Sequence, residues 1–312
     1  MRIVFMGTPD FAVPSLKALV ASGHEVAGVV TQPDRPRGRK LVLTPPPVKK
    51  IALDHGIKVL QPKRAAAPEF VEEIESLMPD LVAVVAYGKI LKKNLLDIPK
   101  YGCVNVHASL LPKYRGASPI QHAIMAGERT TGVTTMFIDE GMDTGDIILQ
   151  HEVPIADEDT SLTMWKKLSD IGAELLMETV ELIAAGRAGR NKQADSLATY
   201  APMLKKEEGE IDWSLPAEVI RNRIRGMPPW PGAYTHRTLK GRRIMLKLLS
   251  GKALPDLSGE PGSIIEAGDG GLVAGTGEGA LLIERLQAEG GRPMDAAEFL
   301  RGHRIMAGEK LG

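Results

Sequence analysis

The sequence predicts an α/β fold: a doubly wound, mostly parallel, Rossmann-like N-terminal domain followed by a small OB-like β-barrel. Three observations lead there. Runs such as LVAVVAY (81–87) are apolar on both faces, as strands sandwiched between helices are. Amphipathic stretches alternate with these runs, which is the pattern of a parallel sheet covered on each side. After a weakly periodic region at 184–210, short apolar runs separated by glycine turns take over, as in a barrel or sandwich.

The elements follow in order. RIVFM (2–6) reads as a buried strand, residues 7–10 as a turn, and Pro14 as the first-turn proline of a helix that ends before Gly23. A strand is expected at 25–31, helices at 48–55 and 69–77, and strands at 81–87 and 103–106. Pro119 starts a helix to about Ala126; strands follow at 131–138 and 146–153, then a long amphipathic helix at 160–185. Beyond the weakly periodic region come a short helix at 216–225 and the apolar runs RRIMLKLL, GSIIEAG, GGLVAGTG and GALLIERLQ. The expected organisation is therefore a catalytic domain at 1–188, a linker at 189–206 and a C-terminal β-barrel domain at 207–312.

Composition narrows the function classes. With 312 residues, 43% of them hydrophobic and 25% charged, the chain can bury two cores. Lys plus Arg equals Asp plus Glu at 39 each, so any contact with a polyanion must come from local clusters. Cys103 is the single cysteine, which excludes an intrachain disulfide and multi-cysteine metal sites and fits a reducing compartment. No run reaches the roughly 18 to 20 apolar residues of a membrane span, and MRIVFMGTPDF is too short in its apolar stretch for a signal peptide, so a cytoplasmic protein is expected.

The chemistry gathers at one edge. In open parallel sheets, ligands bind beyond the carboxyl ends of the strands, and the loops expected there are 7–10, 87–90, 107–118 and 139–145. The first turn lacks G-x-G-x-x-G, which disfavours a nicotinamide cofactor. Asn105 and His107 alternate with Val104 and Val106, so they share a strand face at this edge. In DEGMDTGD (139–146), Gly141 and Gly145 flank Asp143 and allow the loop to aim one carboxylate into the cleft. An amide donates a neutral hydrogen bond, an imidazole donates or exchanges a proton, and a carboxylate orients the imidazole and stabilises its cation. No nucleophilic Ser or Cys is evident, so direct transfer between two bound substrates is expected. No histidine pair has metal-ligand spacing on a helix, and no metal is expected.

Two basic segments stand out. Residues 219–255 hold nine Lys or Arg and no acidic residue, interleaved with Trp230, Tyr234 and His236; Arg221, Arg223 and Arg225 are among the nine. Residues 31–50 hold six Lys or Arg, including Arg35, Arg37, Arg39 and Lys40, with one Asp. Both segments could meet phosphates, and the aromatic rings could stack on bases or ribose.

VNVHASLLPKYRGASPI (104–120) followed by DEGMDTGD resembles the signature of the 10-formyltetrahydrofolate-dependent formyltransferases. MGTPDFAVPSL, TQPDRPRGR, VVAYGKIL and KEEGEIDWSLPA extend the resemblance from Met1 to about Arg304 and narrow it to the members that formylate methionyl-tRNA. Members acting on glycinamide ribonucleotide share only the N-terminal half. The resemblance implies a catalytic set of Asn105, His107 and Asp143. It implies folate contacts from Val85, Ala86, Tyr87 and Gly88, from the turn Ser109, Leu110, Leu111 and Pro112, and from the loop Asp139, Glu140 and Gly141. Arg39 is implied at the acceptor end of the tRNA. The implied partners are 10-formyltetrahydrofolate and initiator methionyl-tRNA, with no membrane and no obligate protein partner. Formyl transfer to a small amine, or RNA binding without catalysis on the same scaffold, are the alternatives.

Overall fold

The structure is a computed structural model that describes residues 1–38, 41–239 and 241–312. It divides into two units: residues 1–119, 130–154 and 165–202 form the first, and residues 120–129, 155–164 and 203–312 form the second.

Strands β1 (Arg2–Gly7) and β2 (Glu25–Val30) open the first unit, and β3 (Arg35–Arg37) and β4 (Val42–Thr44) pair as a separate hairpin. Then come β5 (Val59–Leu60), β6 (Leu81–Val85), β7 (Cys103–His107), β8 (Thr130–Phe137) and β9 (Ile147–Pro154). The large sheet has the order β5-β2-β1-β6-β7-β8-β9. From β1 the chain moves outward to β2 and β5 and returns on the other side at β6, so the topological switch lies between β1 and β6. The five strands from β5 to β7 are parallel, whereas β8 and β9 run antiparallel.

Ile3, Val4, Phe5 and Met6 have no exposed surface, as expected of a central strand covered on both faces. One apolar layer joins Val4, Met6, Val82 and Val84 to Phe70 and Ile74 of a covering helix. The covering helices α1 (Val13–Val20), α2 (Pro47–Asp54) and α3 (Pro68–Ser76) each carry proline in the first turn, where the missing N–H has no acceptor to lose. A short α4 (Lys93–Leu96), α5 (Pro119–Met125) and the 24-residue α6 (Ser161–Ala184) follow.

Residues 189–202, expected to be linker, are tied to the first unit by backbone pairing. Asn191 and Ile147 exchange hydrogen bonds at 2.8 and 3.0 Å, Arg115 donates to the Thr199 carbonyl at 2.8 Å, and Ala201 donates back to Arg115 at 2.7 Å. Periodicity could not show this, because the partners lie 44 to 86 residues away and pair one backbone group at a time.

The second unit holds α7 (Ala217–Gly226), the strands β10 (Ala233–Leu239), β11 (Arg242–Leu254), β12 (Ile264–Gly268), β13 (Gly271–Gly275), β14 (Ala280–Ala288) and β15 (Met294–Asp295), and α8 (Ala296–Gly302). Its sheet runs β10-β11-β14-β13-β12, with β15 beside β14. The last residues close it: Leu311 bridges Arg237 of β10, and Lys310 bridges Ser263 at the start of β12. Ile220 and Ile224 of α7 and Phe299 of α8 fill the barrel core with Leu246, Leu272 and Leu281.

Candidate active site

Asn105 and His107 stand on the same face of β7, paired across to Met136 and Thr134 of β8. His107 is buried at 6% exposure, and Asn105 is half-buried, with its amide in no side-chain hydrogen bond among the described residues. The His107 ring has two distinct sides. Its Nε2 lies 3.0 Å from the Tyr114 carbonyl, which can only accept, so Nε2 carries a proton. Its Nδ1 faces the Asp143 carboxylate at 3.6 Å, close enough for charge attraction and too long for a hydrogen bond. Only the imidazolium places a proton toward both partners.

Asp143 reaches this position by an unexpected route. Because β8 is antiparallel, the loop after it begins at the amino end of β7, where Ile138 donates to the Cys103 carbonyl at 2.8 Å. The loop after β8 therefore does not start at the carboxyl edge, as a parallel strand would have made it do; it folds back over the sheet face to reach His107. Asp139 organises this return by accepting from Gly141 N at 3.0 Å and Thr144 Oγ1 at 2.6 Å. The positive φ falls on Asp143 itself, at 55°, rather than on a flanking glycine. Gly145 is needed for close approach instead, since a Cβ there would sit 1.8 Å from the Phe137 carbonyl oxygen. Asp143 Oδ2 accepts from Gly116 N at 2.8 Å, and Oδ1 has no hydrogen bond among the described residues.

The turn 109–112 is a scaffold for this arrangement. Ser109 is fully buried; its hydroxyl donates to the Lys113 carbonyl at 2.6 Å, and its own carbonyl accepts from Thr134 Oγ1 at 2.7 Å. Leu111 N donates to Thr134 Oγ1 at 3.1 Å, and Gln150 Nε2 donates to the Leu111 carbonyl at 2.9 Å. Leu110 lies against Gly132, and the Leu111–Pro112 peptide is cis. These contacts set the height of Tyr114, whose carbonyl holds His107.

At the end of β6, Val85 is buried and Ala86 and Gly88 take positive φ values of 48° and 78°. The Tyr87 side chain turns into the core at 2% exposure, with its hydroxyl buried and unpartnered, and burial pushes its pKa up to about 12. Its ring is thus a packing element. The Tyr87 carbonyl accepts from Thr8 Oγ1 at 3.2 Å and Gln32 Nε2 at 3.1 Å, tying the β1 turn to the β6 turn at the switch point. A cavity of about 360 Å³ opens beside the 139–140 loop, walled by Leu96, Cys103, Phe137 and Ile138 with Asp139 and Glu140 at its polar side. The residues at 85–88 and 109–112 do not line it.

The basic residues fare unequally. Arg35 is exposed, within reach of Gln32 Oε1 at 3.5 Å, and its charge adds to burial in lowering the pKa of Lys89. Positive charge therefore gathers at the switch-point edge, and Lys89, in the 87–90 loop, had no role assigned to it from the sequence. The side chain of Arg37 and all of Arg39 and Lys40 lie outside the described residues. Arg221, Arg223 and Arg225, expected to face RNA, have partners inside their own unit. Arg221 Nη2 donates to the Asp157 carbonyl at 2.7 Å and Nη1 pairs with Glu218, while Arg223 Nη2 donates to the Glu208 carbonyl at 2.7 Å. Arg225 donates to the carbonyls of Asp159 and Ala156, at 2.9 and 3.1 Å, and burial lowers its pKa, with the Arg221 charge adding to the effect. Composition registers such charges without showing that nearby carbonyls already hold them.

Three further contributors escaped sequence reasoning: Thr134, Arg115 and Gln193. Thr134 and Gln193 stand in no distinguishing pattern, and Arg115, although inside VNVHASLLPKYRGASPI and the 107–118 loop, had no role assigned to it. Among the described residues no group of three or more His, Cys, Asp or Glu could hold a metal ion, and no helix is long and apolar enough to cross a membrane.

A doubly wound sheet that brings an amide and an imidazole on one strand face near a loop carboxylate has groups able to donate to a developing oxyanion and to exchange a proton. Known proteins supply the class. Residues 1–180 match the family model described as formyl transferase, and residues 203–304 match formyl transferase, C-terminal domain. A methionyl-tRNA formyltransferase of Moorella thermoacetica is 53% identical over 314 residues, covering 100% of this chain and 99% of that protein. One from Geobacter sulfurreducens is 49% identical, covering 100% and 97%. Of solved structures, the methionyl-tRNA formyltransferase from Clostridium thermocellum matches with a TM-score of 0.57 at 19% identity, over 82% of this chain and 95% of that one. An N-formyltransferase from Helicobacter canadensis, in complex with folinic acid and dTDP-3-aminofucose, matches at 0.68 and 20% identity, over 91% and 98%. The chain belongs to the methionyl-tRNA formyltransferases of the formyl transferase family.

Proposed function

We propose that this enzyme transfers the formyl group of 10-formyltetrahydrofolate to the α-amine of methionyl initiator tRNA in the cytoplasm, giving the formylated tRNA for translation initiation. The observation that carries the reading is the His107 ring, fixed by Tyr114 through Nε2 and turned through Nδ1 toward Asp143, with the uncommitted amide of Asn105 two residues away on the same face. Family membership supplies the substrates.

The fit to a reduced pterin rests on the wall chemistry. Leu96, Cys103, Phe137 and Ile138 offer apolar surface, Lys93, Asp97, Asp139, Glu140 and Arg190 offer polar and charged groups, and a cavity of about 360 Å³ is of ligand size. When bound, 10-formyltetrahydrofolate supplies an activated formyl group carried on N10. The α-amine attacks when neutral, and since α-amines titrate near 8, a useful fraction is neutral without a strong base. As the new C–N bond forms, negative charge builds on the formyl oxygen. Asn105 and the Nδ1–H of the imidazolium are the donors that meet it, and losing one such donor typically costs about 10² to 10³ in rate. Asp143 stabilises the imidazolium, and its open Oδ1 can accept the amine's proton through water. The C–N10 bond then breaks and N10 takes up one proton, so the amine's lost proton and the leaving group's gained proton balance.

Arg35, Arg37, Arg39 and Lys40 are proposed to guide the acceptor end of the tRNA, with Arg39 the contact to that end that the family resemblance implies. Formylation assays on charged initiator tRNA and on small amines, run alongside RNA binding, test the whole reading. The expected outcome is turnover on the charged tRNA alone. Preferential formylation of a small amine, or RNA binding without turnover, would replace it.

A further inference from the structure

We propose that Gln193 is a positioning residue for the Asp143–His107 pair, acting through the backbone of the 139–146 loop; this rests on the reading that the pair does the chemistry. Asp143 holds a φ of 55°, a left-handed conformation that Asp tolerates better than most non-glycine residues but that still has to be held against the extended alternatives. Gly116 N holds its carboxylate and Asp139 braces the loop before it, and a primary amide holds the backbone on either side. Gln193 Nε2 donates to the carbonyls of Asp143 and Gly145, both at 2.8 Å, so its two hydrogens pin the peptide groups on either side of the Asp143–Gly145 turn.

The orientation of that amide is itself dictated. Gln193 Oε1 accepts from Arg115 Nε at 3.1 Å and from Arg115 Nη2 at 2.8 Å. A flipped amide would set N–H groups against a guanidinium that can only donate, and oxygen against two carbonyls. Arg115 is in turn immobilised: it is 2% exposed, its Nη2 pairs with Asp195 at 2.8 Å, and its backbone exchanges hydrogen bonds with Thr199 and Ala201.

Arg115 also lies between the two residues that touch the pair. Tyr114, on one side, accepts from His107 Nε2, and Gly116, on the other, donates to Asp143 Oδ2. Gly116 has a φ of 121°, and a Cβ there would come within 2.8 Å of the Ala201 carbonyl oxygen, so the 193–201 segment closes tightly on this turn. Gln193 is thus the side chain through which the loop carrying Asp143 and the turn holding His107 are set to a common reference. A displacement of about 1 Å between such groups can cost about 10²-fold in rate.

Gln193→Glu keeps the side chain's length and its acceptors for Arg115 but removes both donors to the loop carbonyls. Gln193→Met keeps the length and removes all polarity, and it decides the matter if the Glu variant does not fold. Single-turnover formylation with enzyme in excess gives a rate constant independent of the folded fraction. We expect that constant to fall about 10- to 100-fold in both variants, with half-saturating concentrations of both substrates unchanged. In the free protein, the ring nitrogen resonances of His107 should move while those of His24 and His236 stay put. Asp143→Asn is run in parallel. If Asp143→Asn loses rate while the Gln193 variants keep the wild-type rate constant, or lose only amplitude, the inference is overturned and the assignment of the pair stands. If Asp143→Asn keeps its rate, that assignment fails and takes the inference with it.

Discussion

Asp143→Asn separates charge from shape at the centre of the site. Asparagine retains an oxygen to accept from Gly116 N, where Asp143 Oδ2 now sits at 2.8 Å, so the loop should keep its path. What disappears is a negative charge 3.6 Å from His107 Nδ1. Coulomb's law gives about 1 kcal/mol for that pair in bulk water and about 4 to 5 kcal/mol at an effective dielectric constant of about 20. The two side chains are only 7% and 17% exposed, which places the value toward the upper figure. Since about 1.4 kcal/mol is a factor of ten, the rate should fall about 10² to 10³-fold if the imidazolium is present in the transition state. The assay is single-turnover formylation of charged initiator tRNA, with tRNA affinity and melting temperature measured beside it. Affinity and melting temperature should be unchanged. A rate within a few-fold of wild type, roughly the bulk-water limit, would show that the carboxylate does not act on a charged His107.

Two other outcomes test what the structure shows of α7 and of Cys103. Replacing Arg221, Arg223 and Arg225 together strips donors from the carbonyls of Asp157, Glu208, Asp159 and Ala156, so the melting temperature should drop, by the equivalent of at least about 2 kcal/mol. The salt dependence of RNA binding should persist; a weaker salt dependence with an unchanged melting temperature would return these residues to the RNA surface. Burial, with a contribution from Asp97, pushes the Cys103 thiol up to about 12, so the reactive thiolate is disfavoured in the folded protein at any ordinary pH. A disulfide reagent at pH 8 should therefore label Cys103 only after denaturant is added, and rapid labelling of the native enzyme would refute its burial.

Local patterns determined much of this protein. Apolar runs without alternation marked β1 and β6, Pro14 and Pro119 marked the first turns of α1 and α5, and a two-residue period in β7 put Asn105 and His107 on one face. Each of these is a property of neighbouring residues, and a few positions of sequence hold all the information needed. The family likeness was also legible, because VNVHASLLPKYRGASPI and DEGMDTGD keep their types in order along the chain.

Only the tertiary structure decided what depends on partners distant in sequence. The antiparallel direction of β8 is such a case: strand periodicity is the same in either direction, so the sequence could not say that Asp143 arrives over the sheet face rather than from the carboxyl edge. The arginines of α7 are another, since a charge count does not show which carbonyls take up the donors. The burial of the Tyr87 ring in the core is a third, since a residue in an apolar run shows nothing of which layer its side chain joins. Gln193 carried no signal at all in the sequence. Its meaning lies in four hydrogen bonds to Arg115, Asp143 and Gly145, 48 to 78 positions away, and contacts at that separation are set by how the chain closes on itself rather than by what stands beside a residue.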